Sequence, residues 1–118
     1  MYHLIFVCKY RKKLLDLYSN EIKNIFKSIE KDYDFKILKM ECEKDHIHLL
    51  IESEPKISIL QIVRVLKSKS TIELWKKHSI ELRKYFWKQN MFWTRGYFAC
   101  TIGNASKETI KKYIERHG

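Results

Sequence analysis

The chain has 118 residues, 45% hydrophobic and 14% aromatic, with three glycines, one proline and a net charge of +10. That composition excludes a disordered tail, fits one packed domain over 1–118, and favours a polyanionic partner, most often nucleic acid. It leaves no apolar run long enough to span a membrane, and "MYHLIFVCKYRKK" places its charges after its apolar run, the wrong order for a signal peptide, so a cytoplasmic protein is expected.

"YHLIFVCKY" predicts a first strand, rich in aromatic and β-branched residues, running into the basic cluster Lys9, Arg11, Lys12 and Lys13. Ser19 is read as the cap of a helix reaching about Tyr33, with Ile22, Ile25, Phe26 and Ile29 on one stripe. "FKILKMEC" and "HIHLLIE" predict two further strands, joined as a hairpin by Glu43 to Asp45. Pro55 ends the second of these, and Ser58 with Gln61 makes a capping box. The helix that follows turns Ile59, Ile62, Val63 and Leu66 inward and carries Arg64, Lys67, Lys69 and Lys76 on its other flanks. His78 to Gln89 is ambiguous, with Ser79 able to cap a short helix. "GYFACTIG" predicts a fourth strand, and Ser106 caps a final helix. The order β-α-β-β-α-β-α predicts an α+β fold, a ferredoxin-like split β-α-β sandwich with an antiparallel sheet and an additional C-terminal helix. Many functions use that topology, so function must come from sites.

Cys8, Cys42 and Cys100 are widely spaced and form no CxxC pair, which predicts reduced, structural thiols. "DHIHLL" carries a more specific signal. Side chains alternate across a strand, so His46 and His48 share one face while Ile47, Leu49 and Ile51 share the other. Two imidazoles so placed can converge on one divalent cation if a partner such as Asp45 or a backbone carbonyl holds the second ring nitrogen. The plainer reading is two polar residues on the exposed face of a half-buried strand. A metallo-hydrolase pattern would want an aspartate where Leu50 stands, and no cysteine pair supports structural zinc.

"SKETIKKYIERHG" places Ile110, Tyr113, Ile114 and His117 within one broad face of a helix. An amphipathic helix with Tyr113 packed on the core explains that pattern. Its chemical alternative is a tyrosine nucleophile, with His117 one turn on as a third metal ligand and Lys111, Lys112 and Arg116 favouring an anionic substrate.

Taken together, these segments resemble the HUH single-tyrosine transposases of bacterial and archaeal insertion sequences. "DHIHLL" is similar to the family's two histidines flanking a bulky apolar residue. "CKYRKK" is similar to its strand end, "FWTRGYF" to its aromatic strand entrance, and "IKKYIERH" to the context of its nucleophilic tyrosine. The likeness runs through essentially the whole chain in the expected order. It implies a homodimer that cleaves and joins single-stranded DNA through a 5′-phosphotyrosine and recognises imperfect hairpins near element ends. It implies Tyr113 as nucleophile, His46 and His48 as ligands, and Mg²⁺ or Mn²⁺ as cofactor. His117 stands where the family commonly has glutamine, and an imidazole there is a competent ligand.

Seven tyrosines are present. Tyr97, beside Arg95, is the strongest rival to Tyr113, and its strand-entrance context makes it structural. Lys9, Arg11, Lys12, Lys13, Arg64, Lys67, Lys69 and Arg95 are the candidate DNA contacts, each also explicable as part of a solvated face. Phe92 and Trp93 can stack on unpaired bases or pack in the core. Two other readings remain open from sequence: a noncatalytic nucleic-acid-binding domain on the same scaffold, and a domesticated relative that cuts hairpin repeats.

Overall fold

A computed structural model describes residues 1–101. The expected final helix, with Tyr113 and His117, lies outside the described residues. Four strands form one sheet: β1 (Tyr2–Val7), β2 (Phe35–Cys42), β3 (His46–Ser53) and β4 (Phe98–Thr101). Two helices connect them, α1 (Leu15–Glu30) and α2 (Ile59–Leu82). The sheet order is β2-β3-β1-β4, with every neighbouring pair antiparallel. β3 therefore separates β1 from β2, and β1 separates β3 from β4. Each helix joins two parallel strands with a third between them, which is the split βαβ topology.

Alternation fixes the two faces of the sheet. Leu4, Phe6, Ile47, Leu49 and Ile51 are buried toward the helices, where they meet Ile22, Phe26, Ile62 and Leu66. Phe6 lies edge-on to Phe26 and Trp93, at 6.2 and 5.8 Å between ring centroids. Fully burying side chains of this size stabilises by about 1.5–3 kcal/mol each, so a one-residue slip of β3 would be costly. His3 and Ile5 of β1 then necessarily share the opposite face with Leu50 and His48 of β3.

β2 begins and ends as the sequence predicts, and β3 extends one residue further, to Ser53. Ser58 and Gln61 make the predicted reciprocal capping box. α1 differs. It starts at Leu15 rather than beyond Ser19, and no side chain caps it. Burial of Leu14 and Leu15, and the bond from Leu15 N–H to the Lys44 carbonyl at 3.1 Å, draw the chain into helix early. The predicted cap survives as a kink at Tyr18 (φ −107°, ψ 15°). The ambiguous stretch after His78 resolves in the same way, because α2 continues to Leu82 through a kink at His78. The two kinks meet: Tyr18 and His78 rings lie 4.8 Å apart. Tyr18 donates to Glu81 at 2.7 Å and His78 donates to Glu21 at 2.8 Å, tying α1 to α2.

Candidate active site

The β2–β3 link is pinned where it meets the end of β1. The Cys8 N–H donates to the Asp45 carbonyl and the Glu43 N–H to the His46 carbonyl, both at 2.8 Å. This fixes where β3 begins, so His46 and His48 emerge on the face away from the helices with ring centroids 4.9 Å apart. His48 is buried and His46 half-buried.

Each ring is held through Nδ1. His46 Nδ1 donates to Asp45 Oδ1 at 2.7 Å. Arg11 donates from Nε to the other Asp45 oxygen at 2.9 Å. The His46 hydrogen bond, followed by Arg11, holds the Asp45 carboxyl below the usual carboxylate range against the opposing effect of burial. His48 Nδ1 lies 3.1 Å from His3 Nε2, with the two rings stacked at 14°. Metal ligation by His48 through Nε2 requires a proton on Nδ1. In that tautomer His48 donates and His3 accepts. Each imidazole thus has a partner at Nδ1 that orients its ring, and ligation through Nε2 is compatible with both contacts.

The donor set fits a divalent cation with an incomplete protein shell. Among the described residues no group of three His, Cys, Asp or Glu side chains converges to complete one. The remaining proposed ligand, His117, lies outside those residues, as does Tyr113. Glu41, on β2 directly opposite His48, is ion-paired to Lys39 at 2.9 Å. Cys8 is no candidate nucleophile, since burial pushes its thiol up to about 12. All three cysteines are free thiols, as expected.

A profile of the family described as "Transposase IS200 like" matches residues 1–117. The chain belongs to this IS200-like transposase family. Among its relatives, the transposase for insertion sequence element IS200 of Salmonella typhimurium is 33% identical, over 97% of this chain and 74% of that protein. The ISDra2 transposase TnpA of Deinococcus radiodurans is 30% identical, over 97% of this chain and 81% of its own length. The crystal structure of a protein from Deinococcus radiodurans R1 assigned as a transposase superposes with a TM-score of 0.76. It is 26% identical, covering 98% of this chain and 88% of that one. A REP-associated tyrosine transposase bound to a REP hairpin shares the fold, with a TM-score of 0.65. It is 16% identical, covering 98% of this chain and 60% of that one. No helix among the described residues is long and apolar enough to cross a membrane.

In this transposase-family chain the candidate DNA contacts fall into separate places. Lys9, Arg64, Lys67 and Arg95 line one open cavity of about 590 Å³ between α2 and the segment entering β4. Lys69 lies outside it, with its ammonium 5.3 Å from the Tyr33 ring centroid. Lys13 is exposed and Lys12 half-buried, both following the turn that carries Arg11 to Asp45. Lys67 is committed elsewhere, donating to the carbonyls of Thr94, Arg95 and Gly96 at 2.8, 3.3 and 2.7 Å. Those three bonds use every proton of the ammonium, and burial lowers its pKa. Its role in the described structure is to fix the "TRG" loop, which carries Arg95. Phe92 and Trp93 are both core residues, and Trp93 donates to Ser70 at 3.0 Å.

One residue of the site is missed by the sequence reading: His3, whose only sequence signal is its place in the β1 alternation. Asp45 is the expected partner of an imidazole, here that of His46, and the Arg11 that holds it in turn is visible only in the fold.

Proposed function

We propose that the protein is a metal-dependent DNA transposase that cuts and rejoins single-stranded DNA at insertion-sequence ends through a 5′-phosphotyrosine on Tyr113. The observation that carries this reading is the pair of imidazoles on one sheet face, each held through Nδ1, His46 by Asp45 and His48 by His3. Family membership supports the DNA chemistry. His46 and His48, with His117 as the third ligand, would hold Mg²⁺ or Mn²⁺. The bound ion supplies Lewis-acid polarisation of the scissile phosphate.

The chain's own groups do the rest. The Tyr113 hydroxyl loses its proton and its oxygen bonds to phosphorus. The bond from phosphorus to the 3′ oxygen breaks, and that oxygen is released as a 3′-hydroxyl on taking up a proton. A 3′-hydroxyl later attacks the phosphotyrosine, restoring a phosphodiester and freeing Tyr113. One phosphoester bond is exchanged for another at each step, so no external energy source is needed. Lys9, Arg64 and Arg95, around their common cavity, suit the phosphates of a DNA hairpin. A homodimer is part of the proposal, because two element ends must be joined.

Removal of metal is the test. Labelled single-stranded DNA carrying hairpin-flanked element ends is incubated with the protein and Mg²⁺, Mn²⁺ or chelator. Cleavage to a free 3′-hydroxyl end should require the cation and stop with chelator. Equal cleavage under chelator would overturn the metal-dependent reading. DNA binding without cleavage under any condition would favour the noncatalytic binding domain.

A further inference from the structure

Tyr10 and Arg11 are held at φ 59° and 51°, two consecutive non-glycine residues in the left-handed region. A side chain bearing a Cβ adopts this backbone at a cost, and two in succession persist only where the surroundings over-determine them. Here the turn does two things at once. It delivers Arg11 to Asp45, and it lays the Tyr10 ring beside Phe86, 6.4 Å between centroids at 31°. The Tyr10 hydroxyl accepts from Trp87 Nε1 at 3.1 Å.

The outcome is an aromatic shelf open to solvent. Trp87 is 78% exposed and Tyr10 55%, whereas Trp75 and Trp93 are 3% and 7% exposed. The exposed indole face is apolar area that a flat partner would remove from water at a gain of about 25 cal/mol per Å². Its one polar group is already satisfied at the ring edge, so the occupant it suits is flat and apolar on its face. The two segments that build the shelf, "KYRKK" and "RKYFWK", contain basic residues and no carboxylate. Lys9 Nζ sits 5.5 Å from the Tyr10 ring centroid. Stacking surfaces amid cations match the bases and phosphates of an unpaired strand. The shelf is also one residue from Arg11, and through Arg11 and Asp45 it is linked to His46.

We propose that Trp87 and Tyr10 stack an unpaired nucleobase of the single-stranded DNA that runs to the His46–His48 site. This rests on the functional reading above and adds to it the place where the strand is gripped. The contact is independent of base identity, since every base offers a π-face.

The test uses the full chain and a short fluorescein-labelled oligothymidylate, with affinity read by anisotropy and Trp87 read by intrinsic fluorescence. Trp87 is the exposed tryptophan, so binding of unlabelled oligothymidylate should quench the wild-type emission. Trp87→Ala and Trp87→Leu should weaken binding about tenfold, and Trp87→Phe should restore most of it. Thermal melting of all three variants checks that the fold is kept. Wild-type affinity in both Ala and Leu variants, with wild type binding the oligonucleotide, would overturn the shelf and leave the transposase reading intact. A change in oligomeric mass in Trp87→Ala with unchanged affinity would overturn it in favour of a protein interface. Wild type that neither binds the oligonucleotide nor cleaves element-end DNA would overturn both.

Discussion

Replacing His46 and His48 together with alanine is expected to abolish divalent-cation binding and bring strand cleavage to background, while hairpin binding stays within a few-fold of wild type. The separation follows from where the residues sit. The two imidazoles occupy the sheet face opposite the helices, whereas Lys9, Arg64 and Arg95 line a cavity on the helix side, against α2. Phosphate contacts made at that cavity do not pass through the histidines. Mn²⁺ binding followed by electron paramagnetic resonance reads the first effect, and electrophoretic mobility of a labelled hairpin reads the second. His48 is buried, so its truncation also leaves a cavity. His48→Gln keeps most of the volume and should lose metal affinity too. Cleavage that persists in the double variant would exclude both histidines as ligands.

Replacement of His3 by phenylalanine should lower metal affinity and cleavage by about 10–100-fold, the range seen when an outer partner of a ligating histidine is lost. His3 Nε2 stands 3.1 Å from His48 Nδ1. Phenylalanine keeps the stacked ring and removes the acceptor. His48 can then place its proton on either nitrogen, and the fraction with Nε2 ready to ligate falls. His3→Gln returns an acceptor oxygen near the same place and should recover most of the affinity. A simple packing role would give the reverse order, with phenylalanine tolerated and glutamine poor. Isothermal titration with Mn²⁺ on the three proteins distinguishes the two, and equal affinities across the series would remove His3 from the site.

The parts of the molecule legible in the sequence are those governed by local periodicity. β2 is bounded to the residue and β3 to within one at its end because both are runs of β-forming residues set between turn signals. The Ser58–Gln61 cap is a three-residue pattern with one physical meaning. The shared face of His46 and His48 follows from the two-residue period of a strand. What escaped depends on contacts distant in sequence. The start of α1 is set by Leu15 bonding to Lys44 and by burial of Leu14 and Leu15, so the serine that looked like a cap sits inside the helix. His3 acquires its role from the register of β1 on β3, which places it diagonally from His48, 45 positions away. Lys67 counts as one more cation in a sequence, and its burial against three carbonyls is visible only in the fold. Trp87 shows the same limit from the other side. Nothing local in "RKYFWK" tells that it faces water, and its bond to the Tyr10 hydroxyl at the strained turn is visible only in the fold.

Mapping the covalent attachment site decides whether Tyr113 is the residue joined to DNA. Wild type and Tyr113→Phe are incubated with 5′-labelled and 3′-labelled single-stranded element ends and Mn²⁺, denatured, digested with protease and nuclease, and sequenced by mass spectrometry. A nucleotide is expected on the peptide containing Tyr113, joined through the 5′ phosphate, absent with chelator and absent in Tyr113→Phe. A modified peptide containing Tyr97 or any residue other than Tyr113, or full cleavage with no adduct in wild type, would exclude Tyr113 as the nucleophile.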